Sequence, residues 1–179
     1  GDLAGAMGDY EKAITIRPGF DIAWYNKGLV NYYSKKYPEA LLNFSTAIDN
    51  NPDYLDAFSN RGLCYALLEK FDSAITDFNQ AVALNPHDPY SLFNRGLGYY
   101  QWAQKIIRDG AVEWNPLLEK AVLDFGNAIA IDPGMGNAFL YRGLCRIRMG
   151  EKETGCEDFL TASKLGVKEG YSQYQAFCR

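Results

Sequence analysis

A repeat with a period of 34 residues runs through most of this 179-residue chain and limits the folds that the chain can adopt. Small residues, aromatic residues and prolines all recur at this spacing. The register is visible in Gly28, Gly62 and Gly96, in Tyr10, Phe44 and Phe78, and in Pro18, Pro52 and Pro86. A fixed period of this length indicates stacked supersecondary units, each of which buries its apolar face only against its neighbours.

Each unit of the repeat has the pattern of two helices joined by a short turn. Small and apolar residues recur at spacings of three and four, as in Trp24, Gly28 and Tyr32, which is the period of an amphipathic helix. Asn51 and Pro52 end the second helix, because a residue before proline is pushed out of the helical region. The sequence therefore predicts helical hairpins and an all-α fold.

These positions resemble the tetratricopeptide repeat family, whose pattern is an aromatic residue, a glycine, a tyrosine, an alanine, an aromatic residue, an alanine and a proline. The second full repeat fits this pattern best. Its matching residues are Phe58, Gly62, Tyr65, Ala74, Phe78, Ala81 and Pro86. The resemblance implies a right-handed superhelical solenoid of helix-turn-helix hairpins. It also implies that the chain binds a protein or peptide and is not an enzyme.

The resemblance divides residues 1–179 into one solenoid domain with six parts. We expect a half repeat at 1–20, full repeats at 21–54 and 55–88, a repeat with a 13-residue insertion at 89–135, a degenerate repeat at 136–167 and a capping helix at 168–178. The half repeat lacks its first helix, so its open edge is a candidate surface for self-association.

The insertion lies around residues 102–116. Tyr99, Ala103 and Ile106 keep helical spacing, so the first helix of this repeat is expected to continue for extra turns. Asn115 and Pro116 have the pattern of a cap and first turn of a lengthened second helix. Two interpretations stay open, a protruding hairpin that contacts a partner, or mutual packing of the insertion's large apolar residues. Those residues are Trp102, Ile106, Trp114 and Leu118.

In this family, the first helix of each hairpin forms the concave surface on which partners lie. The equivalent positions here are apolar and rich in tyrosine, which is favoured at interaction sites. They are Tyr25, Leu29, Tyr32, Tyr33, Leu63, Leu67, Tyr90, Phe93, Leu97 and Tyr100, and the same register continues to Leu140, Leu144 and Arg148. The alternative is that the leucines pack under the neighbouring hairpin.

Some members of the family grip the C-terminal carboxylate of a chaperone with a cluster of lysine, arginine and asparagine. Tyr25 and Leu29 stand here where the lysine and asparagine of such a clamp would lie. The sequence therefore argues against a chaperone tail as the partner.

A basic residue beside the glycine of each first helix recurs together with a polar residue beside the aromatic of the second helix. The pairs are Lys27 with Asn43, Arg61 with Asp77, Arg95 with Asp124, and Arg142 with Asp158. Because both members recur with the repeat, we expect a structural ladder of ion pairs or hydrogen bonds rather than ligand sites.

The charge of the chain argues against nucleic acid as a partner. Its net charge is -4, whereas phosphate binding needs a concentrated basic face. No apolar stretch approaches the roughly 18 residues of a membrane helix, so membrane insertion is not expected. We expect a protein or peptide partner, with homo-oligomerisation through the groove or the open N-terminal edge as the alternative function. The compartment stays open, cytoplasmic or, if a leader had been removed, exported or periplasmic.

Catalytic and cofactor motifs are absent from the sequence. The four cysteines contain no Cys-x-x-Cys pair and His87 is the only histidine, so neither a metal site nor a cofactor is expected. Cys156 and Cys178 belong to a helix and its cap that should touch. This ending resembles terminal repeats of bacteria of the Bacteroides group, where a disulfide would fit an exported protein. Whether these two cysteines are bonded stays open.

Overall fold

The computed structural model describes residues 3–179, which form ten α-helices and contain no strand. The predicted all-α class and its helical hairpins are confirmed. Gly1 and Asp2, the first residues of the expected half repeat, lie outside the described residues. The helices group into two compact units, Gly1–Asn85 and Pro86–Arg179. The six-part division into repeats remains a prediction.

The first unit contains five helices. They are α1 (Leu3–Ile16), α2 (Asp21–Tyr33), α3 (Tyr37–Asn50), α4 (Leu55–Leu67) and α5 (Phe71–Leu84). Each helix packs against the next one along the chain, and α2 also contacts α4. Contacts between sequential neighbours and between alternate helices are what a stack of helical hairpins produces.

The second unit also contains five helices. They are α6 (Pro89–Arg108), α7 (Asn115–Ile131), α8 (Gly136–Met149), α9 (Lys152–Lys164) and α10 (Lys168–Phe177). Sequential helices pack on one another here too, and α8 contacts both α6 and α10. None of the helices within residues 3–179 combines the length and the apolar composition of a membrane span.

A glycine on the first helix meets a buried phenylalanine on the second helix in every full hairpin. A Cβ atom placed on Gly62 would lie 2.7 Å from Cε1 of Phe78, and one on Gly143 would lie 2.8 Å from Cε1 of Phe159. Both rings are fully buried. The helices cross so closely that only glycine fits, which explains why glycine and an aromatic residue recur together.

In three hairpins, the turn between the two helices contains one residue with a positive φ, at equivalent places in the repeat. Lys35 has φ 59°, Glu69 has φ 56° and Gly150 has φ 88°. Glycine adopts this region without a steric penalty, whereas a residue with a Cβ atom does not. Gly150 therefore suits its turn better than Lys35 and Glu69 suit theirs.

Ion pairs join the two helices of three hairpins, as the recurring basic and acidic positions predict. Arg95 donates from Nε and Nη2 to both carboxylate oxygens of Asp124, at 2.8 and 2.7 Å. The Arg61–Asp77 and Arg142–Asp158 pairs have the same two-bond geometry. The three aspartates are almost fully buried, so each arginine compensates a charge that water does not reach.

The fourth expected pair, Lys27 with Asn43, is wrong. Lys27 Nζ lies 3.1 Å from Oε1 of Glu11 on α1. The amide of Asn43 instead donates to the main-chain oxygen of Glu39 on its own helix, at 2.8 Å. An asparagine carries no charge, so it does not hold the lysine as an aspartate holds an arginine.

The insertion lengthens both helices of its hairpin, α6 at its end and α7 at its start. Trp102, Ile106 and Trp114 pack against the cluster that contains the fully buried Leu118, which favours mutual packing of the insertion. Asn115 lies inside α7 and donates to Oε1 of Glu119 at 2.9 Å. The prediction that Asn115 caps the helix is therefore wrong, because Trp114 occupies the cap position and no side chain there accepts a hydrogen bond from the first N–H groups of the helix.

The final helix, α10, is joined covalently to α9. A disulfide links Cys156 to Cys178, with the two Cα atoms 5.9 Å apart. Gly170 brings the two backbones into close contact, since a Cβ atom there would lie 2.7 Å from the main-chain oxygen of Phe159. The interpretation in which these cysteines are bonded agrees with the structure.

Candidate functional site

Tyr33 and Leu67 are the most exposed of the predicted site residues in the first unit. They end α2 and α4, at equivalent places in successive repeats. Tyr33 is 68% exposed and Leu67 is 48% exposed. Large apolar side chains that stay open to solvent at recurring positions are candidates for contact with a partner.

Tyr25 is more buried than its predicted place on the concave surface suggests. Its ring centre lies 4.8 Å from that of Tyr54 and 5.7 Å from that of Phe44. Its hydroxyl accepts a hydrogen bond from Nδ2 of Asn60 at 3.1 Å. Burial, together with the nearby carboxylate of Asp56, raises the pKa of Tyr25 to about 12. This phenol is neutral at physiological pH, and its side chain is half-buried.

The remaining predicted residues of the first unit are half-buried. Leu29 and Tyr32 pack against the cluster that contains Phe44, and Leu63 is also partly covered. The ring of Tyr32 meets Tyr33 edge-on, with 5.5 Å between their centres. The structure therefore brings Tyr32 and Tyr33 together as an aromatic pair of which one ring is exposed.

In the second unit, Tyr90 is exposed and the other predicted residues are partly buried. Tyr90 is 65% exposed at the start of α6. Phe93 and Leu97 pack on the core around Phe125, and the rings of Phe93 and Phe125 are 5.6 Å apart. The alternative interpretation, in which groove positions also serve packing, thus holds for Phe93 and Leu97.

Tyr100 borders a cavity of about 330 Å³ in the second unit, which we call the terminal cavity. The lining residues are Tyr100, Gln104, Leu144, Ile147, Arg148 and Phe177. The ring of Tyr100 lies 5.4 Å from that of Tyr141, and burial raises the pKa of its hydroxyl. Leu140, which the register placed on the same surface, is buried instead.

Sequence analysis missed Gln104, Ile147 and Phe177 as cavity residues. Gln104 lies four residues after Tyr100 and therefore on the same face of α6. The insertion concealed this relation, since the family pattern ends the first helix earlier. Phe177 belongs to the cap and has no equivalent in the repeat. The signal that could have found it is its neighbour Cys178, once a bond to Cys156 is assumed.

Exposed apolar residues also occur on second helices. Leu42 on α3 is 71% exposed and Leu123 on α7 is 64% exposed. Exposure alone therefore does not distinguish the first-helix surface from the opposite face. Leu42 and Leu123 provide matched controls for experiments on the first-helix residues.

The two free cysteines are unsuited to nucleophilic chemistry. Cys64 and Cys145 are fully buried, and burial raises the pKa of each thiol to about 12. A thiol of this kind stays protonated and unreactive at neutral pH. Within the described part of the chain, no three histidine, cysteine or acidic side chains form a group that could hold a metal ion.

Comparison with known proteins assigns the repeat. Residues 55–88 match the family model for the tetratricopeptide repeat. The solved structure of YrrB, described as a tetratricopeptide-repeat protein with an unusual peptide-binding site, is 24% identical. The match covers 92% of this chain and 78% of the YrrB chain, with a TM-score of 0.70. This chain has the tetratricopeptide-repeat fold.

Two further solved structures share this tetratricopeptide-repeat solenoid. A crystal structure of MamA is 19% identical over 96% of this chain and 92% of its own, with a TM-score of 0.79. The first such domain of Spaghetti (RPAP3), bound to the HSP90 peptide SRMEEVD, is 23% identical over 73% of this chain and 93% of its own, with a TM-score of 0.63. No curated protein matches the sequence.

Proposed function

We propose that this chain is a non-catalytic interaction module that binds a peptide or protein segment along the first helices of its hairpins. The observation that carries the proposal is the recurrence of an exposed apolar or aromatic side chain at the ends of two successive first helices, Tyr33 on α2 and Leu67 on α4. Covering such side chains with a partner removes apolar area from water, which stabilises a complex by roughly 25 cal/mol per Å². Folding alone does not require them to be large and apolar.

The related folds support a peptide as the class of partner. The YrrB structure is described as having a peptide-binding site, and the RPAP3 domain holds a peptide. The peptide bound here should differ from one that ends in a clamped carboxylate. Tyr25 and Leu29 stand where the polar residues of that clamp would lie, and both pack against the Phe44 cluster.

Selection from a displayed peptide library tests the proposal. The immobilised chain is compared with a Tyr33→Ser, Leu67→Ser variant and with a Leu42→Ser control, which removes an exposed leucine from a second helix. We expect peptides that bind the parent chain and the control but bind the double variant at least about tenfold more weakly, as for loss of an interface anchor.

Two results would contradict the proposal. One is equal binding by the parent chain and the double variant, which would remove the first-helix surface from consideration. The other is loss of binding only in the Leu42→Ser chain, which would move the site to the second helices. Circular dichroism of each variant shows that the fold is retained.

Self-assembly is a second candidate function, favoured by a separate observation on α1. Ile16 at the end of this helix is 85% exposed. It borders a shallow groove lined by Gly8, Glu11, Lys12, Thr15 and Ile16. Light scattering over a hundredfold range of concentration distinguishes the two functions. A mass that rises with concentration, and no longer rises in an Ile16→Ser variant, would support self-assembly; a constant monomer mass would exclude it.

A further inference from the structure

The terminal cavity combines an apolar wall with two polar side chains. Tyr100 on α6, Leu144 and Ile147 on α8 and Phe177 on α10 supply the apolar part. A volume of about 330 Å³ is at the lower limit of ligand pockets in proteins. The cavity is therefore large enough to hold one large side chain of a partner.

Arg148 stands apart from the other arginines of α8. Arg142 and Arg146 both donate to the buried carboxylate of Asp158, at 2.7 and 2.8 Å. Arg148, by contrast, forms no ion pair or hydrogen bond with any other described residue and is exposed at the cavity. Its planar group of donors matches a carboxylate, to which it can donate two parallel hydrogen bonds.

Gln104 is the second polar group of the cavity, and its amide also has no hydrogen-bond partner in the described part of the chain. A glutamine amide donates through its NH₂ group and accepts through its oxygen. This combination matches a peptide group, which offers one N–H donor and one C=O acceptor. The cavity thus presents separate partners for a peptide backbone and for a carboxylate.

We propose that the terminal cavity binds an internal segment of a partner protein, with a large apolar side chain seated against Phe177 and an adjacent Asp or Glu side chain paired with Arg148. This inference rests on the proposed function and names the partner chemistry for the second unit. The net charge of this chain is -4, so long-range attraction does not bring an acidic segment to it. Recognition of the carboxylate is local, at Arg148.

The hydrogen-bond donors of the cavity, Arg148 and Gln104, match an internal segment of a partner better than they match the C-terminus of one. Arg148 is the only cation among the six lining residues, whereas capture of a terminal carboxylate by side chains relies on several converging donors. The amide of Gln104 suits a backbone that continues past the cavity. We therefore assign the carboxylate to a side chain of the partner.

The disulfide holds one wall of the cavity in place. Phe177 directly precedes Cys178, which is bonded to Cys156 on α9. The N–H group of Cys178 also donates to the oxygen of Tyr174 at 3.0 Å, which closes the last turn of α10. Because the wall is fixed before a partner arrives, binding does not have to order it.

Binding of short labelled peptides tests the proposal. The probes are fluorescein-labelled hexapeptides with blocked ends, in which a central leucine–glutamate pair, a leucine–glutamine pair or an alanine–glutamate pair stands between randomised flanks. Fluorescence anisotropy measures the affinity. We expect the leucine–glutamate pool to bind the parent chain at least about tenfold more tightly than either other pool, the range of a charge-assisted hydrogen bond or a buried apolar anchor.

Variants of the chain assign this preference to Arg148. The Arg148→Gln chain should bind the glutamate and glutamine pools equally, and the Arg148→Glu chain should instead prefer a leucine–lysine pool. Lys152→Gln is the matched control. It also removes one positive charge, but Lys152 lies on α9 and does not line the terminal cavity. Its affinity for the leucine–glutamate pool should equal that of the parent chain.

The outcomes separate this inference from the proposed function. Equal affinity of the parent chain for glutamate and glutamine pools would overturn the inference. So would an equal loss in the Lys152→Gln chain, or tighter binding of a peptide that ends in a free leucine carboxylate. If peptides bind and depend only on Tyr33 and Leu67, the inference is wrong and the proposed function stands. If none of the hexapeptide pools binds, the inference is wrong, and the library selection with the Tyr33→Ser, Leu67→Ser variant decides the proposed function separately.

Discussion

Replacing Gly62 with alanine tests how closely the two helices of a hairpin cross. A Cβ atom at this position would lie 2.7 Å from Cε1, 2.9 Å from Cδ1 and 3.1 Å from Cζ of Phe78. Carbon atoms pack favourably at about 3.5–4.0 Å, so the nearest contact is about 0.8 Å too short. Phe78 is fully buried, so any movement of its ring must displace the core residues around it.

The expected loss of stability follows from two opposing effects. Overpacking a filled core costs about 1–3 kcal/mol, while changing glycine to alanine inside a helix gains about 1 kcal/mol. Since three atoms of the Phe78 ring are involved, we expect about 2 kcal/mol of overpacking and a net loss of about 1 kcal/mol for Gly62→Ala. For a chain of this size, that loss lowers the melting temperature by roughly 2–4 °C.

Urea unfolding followed by circular dichroism measures the change. Gly8→Ala is the matched control, because a Cβ atom there meets nothing within 4 Å, and it should stabilise the chain by about 0.5–1 kcal/mol. In a Phe78→Leu background, Gly62→Ala should cost less than in the parent chain. Stabilisation by Gly62→Ala equal to that by Gly8→Ala would refute this packing argument.

Four other predictions follow from local features of the fold. Lys35→Gly removes a Cβ atom from a residue with positive φ and should stabilise the chain by about 0.5–1 kcal/mol, whereas Gln80→Gly, inside α5, should destabilise it by about as much in the same urea assay. Arg95→Met leaves the carboxylate of Asp124 buried without its partner and should cost about 3 kcal/mol; a cost below about 1 kcal/mol would contradict this. The pKa of Tyr25 is raised above its usual 10 to about 12, so the folded chain favours the neutral phenol. The contribution of Tyr25 to the free energy of unfolding is therefore complete below pH 10 and is lost as the pH rises towards 12. Tyr25→Phe should reduce this loss of stability at alkaline pH, measured as the melting temperature against pH. Thiol counting without reductant should find no reactive thiol in the native chain and two after denaturation, and four would exclude the disulfide.

The sequence predicts the fold well because its strongest signals come from close packing. Gly62 and Phe78 recur with a fixed period since each hairpin needs the same small residue under the same ring. The pairing of Arg61 with Asp77 is predictable for the same reason, because both positions repeat. Lys27 shows the limit of this reasoning. It is a lysine where the other repeats have arginine, and Asn43 replaces their aspartate, so the lysine pairs with Glu11 on α1 instead.

The candidate site is less predictable from sequence. Register identifies which residues lie on first helices, but it does not determine how far each is covered. Leu140 is buried because α9 and its neighbours pack over it, whereas Tyr33, in the same kind of helix, remains open. The terminal cavity depends on Phe177, which lies outside the repeat and whose position is set by a disulfide. Contacts of this kind have no periodic signal.

Photo-crosslinking tests the central claim, partner binding on the first helices, most directly. Benzoylphenylalanine is placed at Leu67, 48% exposed on α4, or at Leu42, 71% exposed on α3, and each chain is irradiated with a labelled peptide selected on the parent chain. We expect the peptide to be captured at position 67, and to be displaced there by unlabelled peptide, with little capture at position 42. Capture at position 42 but not at 67 would contradict the account.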